Sequence, residues 1–175
     1  MTRHREEHLQ RLREGLRRED PSYFRMVLKE TMRLFPPVST WMPRRSKIDT
    51  CIGDTVIPAN SLVMIWPVLL VKDQEFRPSR WADDPSIVDT VLDEDNFYAP
   101  FSLGARACLA PQFFTSMLEE TISGVLMQFD FELAEEDPWK GKPTVLQHFG
   151  DNLIGFKPAK NLLFHATKAA QNTDS

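Results

Sequence analysis

One stretch of this chain places residue types at a spacing that could do chemistry: Phe101-Ser-Leu-Gly-Ala-Arg-Ala-Cys-Leu-Ala110. It sets a cysteine, Cys108, at the end of a loop and directly before a strong helical pattern. Pro111 suits the first turn of that helix, where its missing N–H costs little. A thiolate there faces unpaired backbone N–H groups and the positive end of the helix dipole. Both favour S⁻, the form of cysteine that binds metal. Gly104 supplies a sharp turn without a Cβ penalty, Arg106 sets a cation beside the sulfur, and Phe101 supplies an apolar wall. The plainer reading of the same residues is a buried structural thiol beside an unrelated glycine and arginine.

Phe-x-x-Gly-x-Arg-x-Cys-x-Ala resembles the haem-ligand loop of the cytochrome P-450 haem-thiolate monooxygenases, which usually carry glycine where Ala110 stands. Two further elements match that family in its order. Glu30-x-x-Arg33-Leu34-x-Pro36-Pro37 resembles its Glu–Arg helix, and Phe76-x-Pro-x-Arg80-Trp81 resembles its second arginine element. Taken alone, Glu30 and Arg33 at i, i+3 form an ordinary helix pair worth little. The resemblance implies instead a buried structural triad in which Glu30 accepts from Arg33 and Arg80. A buried charge set of that kind is tolerable only when its hydrogen bonds are complete, and the guanidinium fork suits it better than lysine.

The resemblance also implies the cofactor and its residues. Haem b would be held through Cys108 as axial ligand of the iron, with Arg106 and Arg44 toward the propionates, Phe101 shielding the sulfur and Gly104 turning the loop. Arg44 stands five residues before Asp49, the family's spacing for a propionate arginine, and Arg45 remains its alternative. No further catalytic group is identifiable. The implied activity is insertion of one oxygen atom into a small apolar substrate, with electrons from a reductase. The style of the motifs resembles eukaryotic members, fungal enzymes of secondary metabolism among them.

The elements that must position these residues follow from periodicity. Residues 3–18 read as an amphipathic helix with a narrow stripe of Leu9, Leu12 and Leu16 under a charged outer face. Asp20 or Ser22 caps a second helix, which stops at Pro36-Pro37. Residues 41–46, 50–58 and 62–66 read as short strands of one small sheet, with turns at Gly53-Asp54 and Pro58–Ser61. Cys51 then sits in a strand as a small buried hydrophobe. Val71–Glu75 is several residues shorter than the family's loop at this point, and residues 82–100 form an acidic, irregular meander. After Cys108, apolar residues at 113, 114, 117, 118, 122, 125, 126 and 129 give a helix with a wide apolar face. That face suits packing on a haem plane and on the core. Gly124 allows a close contact, and Glu119 and Glu120 face solvent. Short strands and turns follow to Phe164, with His148 and His165 as surface residues.

The resemblance implies an α+β fold, mainly α, the C-terminal portion of the cytochrome P-450 fold. Residues 1–166 are its proximal haem half and 167–175 a disordered tail. The resemblance covers this portion alone, so the chain reads as truncated at its N-terminus, without the oxygen-activation helix or most of the substrate pocket. A non-catalytic haem-binding remnant or interaction module is the alternative, and a thiol redox protein a third, weakened by the lack of a resolving cysteine near Cys108. Composition narrows the rest. The 175 residues are 42% hydrophobic and 26% charged, as in globular proteins. A net charge of -4 offers no basic surface for nucleic acid. Two cysteines make no disulfide framework, which points to an intracellular, cytoplasmic setting. The longest apolar run, Leu62–Val71, is too short to be a transmembrane segment and contains Pro67.

Overall fold

The computed structural model describes residues 2–18, 20–38, 40–71, 73, 75–92, 97–133 and 164–168. The first amphipathic pattern winds into α1 (Thr2–Arg17), and Leu12 and Leu16 lay its apolar stripe on the core. The second forms α2 (Ser22–Leu34). Its cap position falls to Pro21, but the Asp20 carboxylate still accepts from the Ser22 N–H at 3.0 Å and so satisfies one orphan donor. The helix closes on Phe35, whose N–H donates to the Thr31 carbonyl at 2.8 Å, before Pro36-Pro37 ends the pattern.

Between the prolines and the cysteine loop lie short strands and 3-10 turns. Strand β1 (Arg44–Arg45) pairs antiparallel with β4 (Leu62–Val63), and β2 (Thr50–Ile52) with β3 (Thr55–Ile57). Gly53 turns the β2–β3 hairpin with φ +56°, a conformation glycine adopts without strain. The strands fall where the sequence puts them, but as two separate ladders rather than one sheet. Pro58 ends the β3 ladder because it has no N–H to donate. Side chains then take over the pairing: Asp49 accepts from the Ala59 N–H at 2.7 Å, and the Ser46 hydroxyl donates to the Pro58 carbonyl at 2.7 Å. Cys51, Ile52 and Val56 of this hairpin are all exposed, so Cys51 is not the buried hydrophobe that the sequence suggests.

Two 3-10 turns, Pro67–Leu70 and Pro78–Trp81, lead into the meander. The meander is less irregular than its composition suggests. Ile87 and Tyr98 are buried, Val91 and Tyr98 exchange backbone hydrogen bonds, and the Tyr98 hydroxyl donates to the Ile87 carbonyl at 2.6 Å. Helix α3 (Pro111–Gln128) follows the loop. Phe114, Leu118, Ile122 and Leu126 take one stripe of α3 onto a core built from Phe24, Leu28, Met32, Trp81, Ile87 and Tyr98. The other half of the wide apolar face stays exposed.

Two arginines fasten α3 to the other helices. Arg25 donates twice to Glu119, at 2.8 and 3.1 Å, so Glu119 ties α2 to α3 instead of only facing solvent. Arg13 donates to the Leu126 and Phe129 carbonyls and to Asp130, meeting the C-terminal carbonyls of α3. A Cβ at Gly124 would meet only open space, so no close contact requires glycine there. Strand β5 (Phe129–Leu133) pairs with β6 (Phe164–Lys168) over five residues. Thr167 and Lys168 therefore belong to a strand, held by pairing with Asp130 and Phe129, rather than to a tail. Residues 169–175, His148 and the turns expected between 134 and 163 lie outside the described residues, as does the His165 side chain. Among the described residues no helix is long and apolar enough to cross a membrane.

Candidate functional site

The loop that carries Cys108 is held mostly by its own backbone. Ser102 donates its N–H to the Ala99 carbonyl at 3.2 Å and takes φ +62°, so the chain reverses just after Phe101. Gly104, at φ +69°, opens a 3-10 turn that ends at Arg106. The Cys108 N–H then donates to the Phe101 carbonyl at 2.9 Å, which closes the loop beneath the thiol. Ala110 takes the cap position of α3, and Pro111 its first turn, as the sequence implies. Cys108, Gly104 and Arg106 are exposed. The Phe101 ring meets Phe114 edge-on at 6.0 Å and so anchors the loop in the core.

Arg44 and Arg45 part company. The Arg44 guanidinium reaches the loop, donating to the Leu103 carbonyl at 3.4 Å, whereas Arg45 is exposed and donates to Asn60 at the β-turn. Arg44 alone is brought to the cysteine loop.

The residues at this loop fit the haem that the resemblance implies. The thiol is accessible, and a soft thiolate suits iron in such a group. Beside it Leu109, Phe113 and Met117 are 101%, 72% and 48% exposed. Phe113 and Met117 share one helix face by their i, i+4 spacing, and together the three leave an apolar surface for a large flat group. For carboxylates, Arg44 has five N–H donors and one long bond. Ser102 Oγ is the one buried side-chain polar atom without a partner among the described residues.

The triad is present too, and larger than the sequence implies. Glu30 is wholly buried and accepts five hydrogen bonds. Its Oε1 takes Arg33 Nη2 at 2.8 Å, the Arg77 N–H at 2.8 Å and Arg80 Nε at 3.0 Å. Its Oε2 takes Arg33 Nε at 2.8 Å and Trp81 Nε1 at 2.9 Å. Burial alone would push the Glu30 carboxyl up. The Arg33 hydrogen bonds, the Arg77 N–H, the Arg33 charge and Trp81 outweigh it and hold the group below its ordinary range.

The short loop before Phe76 completes this cluster. The carbonyls of Asp73 and Glu75 accept from Arg33 at 2.6 and 3.0 Å, and the Asp73 carboxylate accepts from Arg80 at 2.6 Å. Its carbonyls and the Asp73 carboxylate answer the triad's outer donors. Asp73 is held at about 2, chiefly by the Arg80 hydrogen bond and the Glu75 N–H.

Both carboxylates are depressed in the folded state, so the stability they contribute is present above their ordinary values, 3.8 for Asp73 and 4.5 for Glu30. It is lost as pH falls through their folded values, about 2 for Asp73. The thermal midpoint is therefore expected to drop between pH 4.5 and 2, and to drop less in Asp73→Asn. Parallel midpoint-against-pH curves for the two chains would refute Asp73's part in this.

Sequence reasoning passed over three members of this cluster: Asp73, Trp81 and Lys29. Lys29 is wholly buried beside Glu30, its Nζ donating to the carbonyl and carboxylate of Asp84 at 3.0 and 3.1 Å. Trp81 offered a signal, since a buried indole N–H needs an acceptor. Lys29 offered one too, as a cation inside an otherwise apolar helical stripe.

Comparison with known proteins gives one family. Its model, cytochrome P-450, matches residues 10–154. Cytochrome P-450 71A22 of Arabidopsis thaliana is 34% identical over 155 residues, covering 76% of this chain and 31% of that protein. Cytochrome P-450 monooxygenase 1 of Neocamarosporium betae is 33% identical over 128 residues, covering 68% of this chain and 26% of that protein. The fold is similar to that of retinoic acid-bound cyanobacterial CYP120A1, with a TM-score of 0.73 at 21% identity, over 95% of this chain and 39% of that one. The chain thus spans about a third or less of the length of these curated relatives. With the cysteine loop, the Glu–Arg helix and the second arginine standing together in one structure, and the family match running through all three, the chain belongs to the cytochrome P-450 family.

Proposed function

We propose that this chain forms the cysteine side of a haem-thiolate monooxygenase, with haem b on Cys108. The observation that carries the reading is the exposed thiol on a closed loop, flanked by an exposed apolar surface and by Arg44. The monooxygenase named among the relatives supports the reaction class. When bound, the haem supplies oxygen activation, with thiolate electron density favouring O–O cleavage.

This chain's own residues bind and orient. Cys108 supplies the sulfur, and the Phe101 carbonyl fixes its backbone through the Cys108 N–H. Leu109, Phe113 and Met117 give the apolar side of the cradle and keep water from the sulfur once covered. Arg44 and Arg106 supply cations for the two propionates, and Gly104 turns the loop between them. Phe101 shields the sulfur from the core side. The substrate is a small apolar molecule, and the electrons come from a separate reductase.

The test is the absorption spectrum of the full chain expressed with haem supplied, then reduced and exposed to carbon monoxide. A strongly red-shifted Soret band, the signature of thiolate ligation, is expected. A chain that retains no haem, or whose band stays where a neutral ligand leaves it, overturns the reading.

A further inference from the structure

Lys29 is a buried cation for which the haem site has no use. A lysine is almost never fully buried unless paired, and an apolar side chain of the same length would fill the space between α2 and the meander. The ammonium does what an apolar group cannot. It makes directional bonds to the Asp84 carbonyl at 3.0 Å and carboxylate at 3.1 Å, in a stretch without regular structure. It also lies 4.5 Å from the centre of the Trp81 ring and 5.3 Å from that of Tyr98. A desolvated cation is attracted to both ring faces.

We propose that Lys29 is a positioning residue for the cysteine loop: it fastens Trp81, Asp84 and Tyr98 to α2, and Tyr98 in turn seats the loop that ends at Cys108. The connection is continuous. Tyr98 bonds to Val91 through its backbone and to Ile87 through its hydroxyl. The next residue, Ala99, accepts from Trp41 Nε1 and from the Ser102 N–H, both at 3.2 Å. Phe101 then accepts from Cys108 at 2.9 Å. A shift of the meander off α2 therefore moves the start of the loop, and the sulfur with it. This deepens the haem-thiolate reading, because the loop it seats is the one that presents Cys108, but it can be read without haem.

The experiment is native-state hydrogen exchange on the full chain without haem, comparing residues 98–108 with residues 113–126 of α3. In Lys29→Met the loop amides are expected to exchange about tenfold faster while those of α3 keep their wild-type rates. Equal acceleration of both segments would make Lys29 a general stabiliser and overturn the proposal, as would no change in either. Should Lys29→Met lose the wild-type circular dichroism, Asp84→Asn carries the same comparison. It removes the anion and leaves the carbonyl bond, and a selective loop acceleration of about threefold is expected. Uniform or absent change in that variant overturns the proposal equally. A wild-type chain that binds no haem, with Lys29→Met still freeing the loop selectively, would sink the haem reading and leave this one standing.

Discussion

Cys108→Ser is expected to abolish the thiolate-type carbon monoxide spectrum of the haem-loaded chain and to leave its far-UV circular dichroism unchanged. The Cys108 side chain is exposed, and the residue's bond to Phe101 runs through its backbone N–H, which serine retains. Surface substitutions of this kind change stability by about 0.5 kcal/mol or less. The chemistry, by contrast, depends on sulfur. Serine keeps its proton at neutral pH and offers a hard, weakly donating oxygen, whereas a soft thiolate is what the iron selects. A red-shifted band that survives the substitution would mean that another group ligates the iron, with Cys51, exposed on its hairpin, the next to be replaced.

The second large effect lies in the buried Glu30 cluster. Glu30→Gln preserves shape and removes one charge, yet it is expected to destabilise the chain by about 3–5 kcal/mol, the usual cost of breaking a buried ion pair from one side. Every group that meets Glu30 is a donor. Oε1 accepts three and Oε2 two, so the amide NH₂ of glutamine confronts at least two N–H groups in either orientation. Arg33 and Arg80 would also lose the carboxylate they share, leaving the Asp73 carboxylate to Arg80 and only the Asp73 and Glu75 carbonyls to Arg33. Against a total stability of about 5–15 kcal/mol for a domain, that is a severe loss. Urea unfolding followed by circular dichroism measures it. A loss below about 1 kcal/mol would put the pair with ordinary surface salt bridges and contradict its burial.

The cysteine loop, the Glu–Arg helix and the helix after Cys108 were determined by the sequence itself, because the signals that specify them are local. A 3.6-residue apolar period, prolines that end or open a helix, and a glycine at a left-handed turn all act within a few residues of one another. Such signals place Cys108, Glu30 and Arg33 on their elements, and the family resemblance of those motifs extends to Arg80.

Tertiary structure decided how those charges are satisfied, since the partners of a buried donor come from wherever the chain folds back. Asp73 lies 40 residues from Arg33, and Asp84 lies 55 from Lys29. No sequence period records either meeting. The same holds for Arg44 against Arg45, adjacent residues that leave a strand on opposite sides, only one of which meets the loop. Exposure of Cys51 and of half the α3 apolar face depends on which layers arrive to cover them, and that too is settled only by packing. An apolar pattern states that a surface would be stabilised by burial; the rest of the fold determines whether anything buries it.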